Sequence, residues 1–121
     1  MNQGDVVLTP VPQANGILKN RPAILLREMP PYRDVLVCGI STQLHQEVKG
    51  FDEVIELSDL DFKSSGLRAV SLIRLGFLAV LPRNVVIGSI GVIPPERHKR
   101  LLKRLSDYLL KSWKRVIVLF R

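Results

Sequence analysis

Arg21, Ser41 and Thr42 are the residues whose types and spacing offer chemistry. A guanidinium carries fixed positive charge and forked donors that match phosphate geometry. A hydroxyl can donate to a non-bridging oxygen or orient an attacking alcohol. Such a set suits a phosphodiester whose own 2′-OH is the nucleophile, because the substrate brings that group already placed beside phosphorus. The protein must then stabilise charge on the phosphoryl oxygens, assist proton removal and protonate the leaving 5′ oxygen. Arg21 fits charge stabilisation better than the base role, since a guanidinium is a poor proton acceptor in water. Arg74, a charge between Ile73 and Leu75, is a second candidate cation. Spacing alone leaves two plainer readings standing. Arg21 reads equally as a surface arginine at a strand start, and Arg74 as an outward-facing strand residue.

Two strands must bring these groups together. Pro22 cannot donate to a ladder, so it suits the first residue of a strand running through Ala23-Ile24-Leu25-Leu26. Met29-Pro30-Pro31-Tyr32-Arg33-Asp34 is a turn, and Val35-Leu36-Val37-Cys38 returns as the second strand. Strands joined by a short loop are antiparallel neighbours. Arg21 at the start of the first then lies near Ser41 and Thr42 at the end of the second.

Elsewhere, Val6-Val7-Leu8 reads as a short strand ended by Thr9-Pro10. A polar loop follows over residues 12–20, with an Asn15-Gly16 turn signal and Lys19-Asn20 leading into Arg21. It reads either as a cover over a ligand or as a solvated connection. Residues 44–50 form a turn or two, 51–57 a weak strand, and 58–66 a turn cluster. A strand through residues 67–75 meets a bulge at Gly76 and continues to Pro82, and 85–93 is a last strand-like run. Short strands with no helix between them argue for a small barrel. Pro94-Pro95-Glu96 opens a C-terminal helix whose apolar stripe is Leu101, Leu102, Leu105, Tyr108 and Leu109. Arg97, Lys99, Arg100, Lys103, Arg104 and Lys111 fill its other side, which reads first as a solvated face and second as a nucleic-acid contact. The domain spans residues 1–112, and 113–121, from Trp113 onward, is an apolar and basic tail of unknown role.

The chain has 121 residues, the length of one domain, and its 46% apolar content is ample for one core. That balance in a small chain points to apolar surface covered by a partner, often a second copy. A formal net charge of +7 favours polyanions, nucleic acid first. Cys38 is the single cysteine, so no intrachain disulfide forms and a reducing cytoplasm is the expected compartment. Its apolar strand makes it an inert small hydrophobe. No signal peptide or membrane span is read from the sequence. Neither His45 nor His98 has a partner at metal-ligand spacing, so no metal and no cofactor is expected. Phosphate-binding glycine loops are absent, and no nucleophile elbow supports a triad built on Ser41 and His45.

Gly4-Asp5-Val6-Val7, Asn20-Arg21-Pro22-Ala23-Ile24-Leu25, Ile40-Ser41-Thr42-Gln43 and the stretch 67–74 together resemble the MazF/PemK toxin family. The resemblance runs from about Gly4 to the C-terminal helix. It implies a mainly β fold, a small SH3-like barrel of the CcdB/MazF type with a C-terminal helix. It also implies a cytoplasmic homodimer that acts as a metal-independent, sequence-specific endoribonuclease, an mRNA interferase that inhibits growth. The product would carry a 2′,3′-cyclic phosphate. A cognate antitoxin with a disordered acidic tail would cover the RNA groove, and DNA would be met only through the antitoxin complex. By position, Arg21 and Ser41 take the catalytic places, while Lys19, Asn20, Thr42, Gln43 and Arg74 take RNA-binding ones. Three departures stand out: serine at 41 where threonine is commoner, Gly76 where some members carry an acid or amide, and a loop before Arg21 without the usual Gly-x-Glu-Gln pattern. The alternatives on the same fold are a non-catalytic gyrase-inhibitor-like toxin acting through its C-terminal end, and a degenerate member that only binds RNA.

Overall fold

Four consecutive apolar residues, Ala23, Ile24, Leu25 and Leu26, are all buried, so the strand that holds them is covered on both faces. This is why the run does not alternate. Ile24 and Leu26 join one cluster with Val6, Cys38, Ile73 and Leu75, whereas Ala23 and Leu25 join a second with Val7, Val35 and Val37.

The computed structural model describes residues 1–111. Trp113, the 113–121 tail and the domain boundary drawn at 112 lie outside the described residues. Six strands and one helix are described: β1 (Asp5–Pro12), β2 (Leu18–Met29), β3 (Asp34–Ser41), β4 (Glu53–Ile55), β5 (Ser71–Leu81), β6 (Gly88–Val92) and α1 (Pro95–Lys111). The strands pair antiparallel in the order β4-β5-β3-β2-β1-β6. Helix α1 covers one face of this sheet through Leu101 and Leu105.

The expected barrel is a curled sheet with β4 and β6 at its edges. The segment between β4 and β5 bridges that gap: the Val92 N–H donates to the Ser64 carbonyl at 2.9 Å. Close approach is possible because both contacts are glycines. A Cβ at Gly66 or at Gly91 would run into the opposing backbone.

Several boundaries differ from the sequence reading. Strand β1 continues through Pro10 to Pro12, and β2 begins at Leu18, so the expected long loop is a tight connection over residues 13–17. Its ends are tied by the Gln13 N–H donating to the Ile17 carbonyl at 2.9 Å. Pro22 is therefore not the first strand residue but lies inside β2, opposite Leu8. The expected strand over 51–57 shrinks to Glu53–Ile55, and a 3-10 turn at Arg83–Val85 delays the last strand to Gly88.

The basic side of α1 is the larger correction. Arg97 is buried, with its guanidinium bonded to Glu53 at 2.8 Å, Asp61 at 2.7 Å and Asp59 at 3.3 Å. Arg100 bonds Glu53 at 2.6 Å, and Arg104 donates to the Asp52 carbonyl at 2.9 Å. Arg97 and Arg104 thus fasten the helix to β4 and the turn after it rather than facing solvent or nucleic acid. Arg100 pairs with Glu53 while still exposed, and Lys99, Lys103 and Lys111 stay on the solvated face that was expected. His98 is half-buried with Nε2 2.7 Å from the Leu26 carbonyl. Burial pulls Arg97 toward its neutral form, but the bond to Asp61 and the charges of Asp61, Glu53 and Asp59 outweigh it and hold it protonated. The same hydrogen bond from Arg97 holds Asp61 below the usual carboxylate range. Burial also pushes the Cys38 thiol up to about 12, in keeping with an inert side chain.

Arg97→Ala, which strips Asp61 of its arginine and leaves buried Glu53 to Arg100 and Arg104, is expected to cost about 3–5 kcal/mol in chemical unfolding. A loss below about 1 kcal/mol would contradict the fastening role. Because its folded pKa is depressed, Asp61 contributes stability that is present above the ordinary carboxylate pKa and lost as pH falls through the folded value. Asp61→Asn is thus expected to be less stable than wild type at pH 7, with the gap closing below about pH 4. A gap independent of pH would refute that linkage.

Candidate functional site

Beyond one pair of residues, strands β2 and β3 stop pairing with each other. Their ladder ends at Ala23 opposite Gly39. Past that point Pro22 and Arg21 pair with Leu8 and Thr9 of β1, while Ile40 and Ser41 pair with Ile73 and Leu72 of β5. Pro22, which has no N–H to give, sits where partnership with β3 has ended. A groove of about 600 Å³ lies at this fork. Its lining brings together Arg21, Ser41, Thr42, Gln43 and Arg74. Lys19 and Asn20 lie farther out on β2, opposite Val11 and Pro10, exposed and outside that lining.

Each group has a local reason for its place. The Thr9 hydroxyl donates to the Arg21 carbonyl at 3.3 Å, and Arg21 Nη2 donates to Gln13 Oε1 at 3.4 Å. The hairpin loop therefore lies beside the guanidinium. Ser41 Oγ accepts the Gln43 N–H at 3.0 Å in a serine turn. With one lone pair engaged this way, the hydroxyl proton is left to donate elsewhere. Arg74 faces Gly39 across the β3–β5 pair and is half-buried rather than outward-facing.

The bulge expected at Gly76 is present and is three residues long. Cys38 pairs with Leu78 and the next residue, Gly39, pairs with Arg74, so Leu75, Gly76 and Phe77 are extra. Buried Asp52 holds the bulge: Oδ1 accepts the Leu75 N–H at 3.0 Å and Oδ2 the Val48 N–H at 2.9 Å. Phe77 emerges into the groove, with the Arg74 guanidinium carbon 5.6 Å from its ring centre. Sequence reasoning missed Phe77, Thr9 and Gln13. Phe77 stands in an apolar run and reads there as core; only the neighbouring Gly76 signalled that the chain leaves the sheet.

The charges divide into two kinds. The arginines on α1 are paired with carboxylates, whereas among the described residues no carboxylate lies within salt-bridge distance of Arg21 or Arg74. Their charge is thus free for an anionic ligand. The groove lining has no His, Cys, Asp or Glu, and no cluster of three such side chains suited to a metal occurs among the described residues. This donor set suits hydrogen bonding and charge stabilisation of a phosphate better than metal ligation. No helix among the described residues is long and apolar enough to cross a membrane.

Residues 2–109 match the family described as PemK-like, MazF-like toxin of type II toxin–antitoxin system. Among solved structures, the Mycobacterium tuberculosis toxin MazF-mt6 is similar, with a TM-score of 0.60 at 18% identity, covering 85% of this chain and 93% of that one. That likeness concerns the fold: a curled, mostly antiparallel sheet with one C-terminal helix, as the resemblance implied. No curated protein sequence matches the chain. With the family match spanning nearly the whole chain, the protein belongs to the PemK/MazF-like toxins of type II toxin–antitoxin systems.

Proposed function

We propose that the protein is a sequence-specific, metal-independent endoribonuclease that cleaves single-stranded RNA, mRNA above all. The observation that carries this reading is the convergence of two unpaired guanidiniums and a free hydroxyl on one groove. In the proposed step the ribose 2′ oxygen attacks phosphorus and gives up its proton to water. The P–O5′ bond breaks, the 5′ oxygen takes a proton from water, and a 2′,3′-cyclic phosphate remains. Arg21 stabilises the charge that builds on the non-bridging oxygens, and the Ser41 hydroxyl donates a hydrogen bond to one of them or orients the 2′-OH. Arg74, Thr42 and Gln43 hold the flanking RNA, while Lys19 and Asn20 meet the chain beyond the groove. Metal independence is supported by the lining's lack of carboxylate, imidazole and thiol groups.

Family membership implies an antitoxin partner. An acidic, disordered antitoxin tail would neutralise the same two guanidiniums by occupying the groove, in keeping with a toxin of net charge +7. A homodimer acting in the cytoplasm completes the reading, with DNA engaged only through the antitoxin complex.

Purified protein is expected to cut single-stranded RNA in excess EDTA and to leave cyclic phosphate ends. Arg21→Ala should lower the rate about 10²–10³-fold, the usual effect of removing one transition-state donor. Failure of the folded wild type to cut, or equal cutting by Arg21→Ala, would end this reading. Cleavage that needs added magnesium would remove metal independence. With no imidazole or carboxylate in the lining, the log of the rate should rise steadily with pH over about 6–8.5. A bell-shaped profile centred near neutrality would point to a histidine or carboxylate outside the groove.

A further inference from the structure

The bulge in β5 builds something that phosphate chemistry alone does not require. Strand β5 leaves the ladder for three residues and returns it at Leu78, and the side chain so displaced into the groove is an aromatic ring. Phe77 is 56% exposed, which is uncommon for a phenylalanine in a packed sheet. Its seat is made by an absence. A Cβ at Gly39 would collide with the Phe77 ring, so only glycine at that position lets the ring lie against β3. The Arg74 guanidinium carbon lies over the ring, 5.6 Å from its centre, setting a planar cation beside the exposed aromatic side chain. The Asp52 carboxylate fixes the bulge from below, through the N–H of Leu75. An exposed ring, an adjoining guanidinium plane and a rigid mount in a groove with free cations are the parts of a platform for an unpaired base.

We infer that Phe77, seated on Gly39 and flanked by Arg74, stacks one nucleobase of single-stranded RNA beside the phosphate held by Arg21 and Ser41, and so shapes the sequence preference of cleavage. The inference rests on the reading of the groove as an RNA site and names the part of it that touches a base. Stacking is sequence-tolerant in itself, since every base has a π-face, but purines offer a larger one. The preference set by this platform is therefore for a purine at one position near the cut. Phe77 touches no reacting atom, so its loss weakens binding and blurs preference without removing the chemistry.

The test compares wild type with Phe77→Ala, Phe77→Trp and Gly39→Ala, using a single-stranded RNA oligonucleotide. Direct binding is measured alongside cleavage-site mapping on a long RNA. Phe77→Ala is expected to weaken binding roughly 5- to 150-fold, the range of one lost base–aromatic stack. It should also broaden base usage at one position while kcat changes little. Phe77→Trp should restore affinity and show fluorescence quenching on RNA binding, measured against the wild-type background from Trp113. Gly39→Ala moves the ring without removing it and should reproduce the alanine phenotype in milder form. RNA binding that depends on Phe77 with no cleavage by wild type would sink the nuclease reading and leave the platform standing. Unchanged affinity and preference in Phe77→Ala, or no RNA binding by wild type, overturns the platform. A changed oligomeric state with unchanged RNA affinity assigns the ring to a subunit contact and overturns it too.

Discussion

The ladder between β2 and β3 ends at Ala23 opposite Gly39, and what is distinctive in this molecule depends on that fork. A strand residue satisfies its backbone either with a neighbour or with water. Past the fork β2 keeps β1 and β3 keeps β5, so the ends of both strands stay ordered while a gap opens between them. Arg21 stands on one side and Ser41 on the other. The backbone of each is held by its own ladder, so neither strand end must be ordered afresh to present its side chain to the gap.

Charge is handled differently on the two faces of the sheet. On the helix side Arg97, Arg100 and Arg104 converge on Glu53 and the Asp52 carbonyl, fixing α1 across the core. On the groove side, among the described residues, Arg21 meets a glutamine side chain and Arg74 an aromatic ring, and neither meets a carboxylate. A net charge of +7 thus hides a contrast: part of the basic content is tied up in ion pairs on the helix side, while Arg21 and Arg74 line one groove. The two regions are joined through Asp52, whose carboxylate braces the bulge below Arg74 and whose carbonyl accepts from Arg104.

Much of this was legible in the residues themselves. The apolar runs of β2 and β3, the turn between them and the helix opened by Pro94-Pro95-Glu96 follow from local rules, and so does the bulge at Gly76. The order Arg-Pro, apolar run, Ser-Thr-Gln carried the family resemblance that the match over residues 2–109 bears out. What stayed hidden depends on distant partners. Arg97 reads as one more cation on a basic helix face until Glu53 and Asp61, 44 and 36 positions away, are seen beside it. Pro22 reads as a strand start because the pairing that tolerates it inside β2 is set by where β3 departs. Phe77 reads as core because the glycine against which its ring rests, Gly39, lies on another strand.

The central claim is that Arg21 engages the scissile phosphate across the fork from Ser41. Its most direct test is a cycle pairing Arg21→Ala with removal of phosphate charge. RNA oligonucleotides carrying a 2′-deoxy sugar at the mapped cleavage position, which cannot be cut, are compared with versions bearing a neutral methylphosphonate there. Binding of both by wild type and by Arg21→Ala gives the coupling between guanidinium and phosphate. The account predicts strong coupling: neutralising the phosphate weakens binding by wild type but barely affects Arg21→Ala. Equal losses in the two proteins would show that Arg21 and the scissile phosphate do not meet.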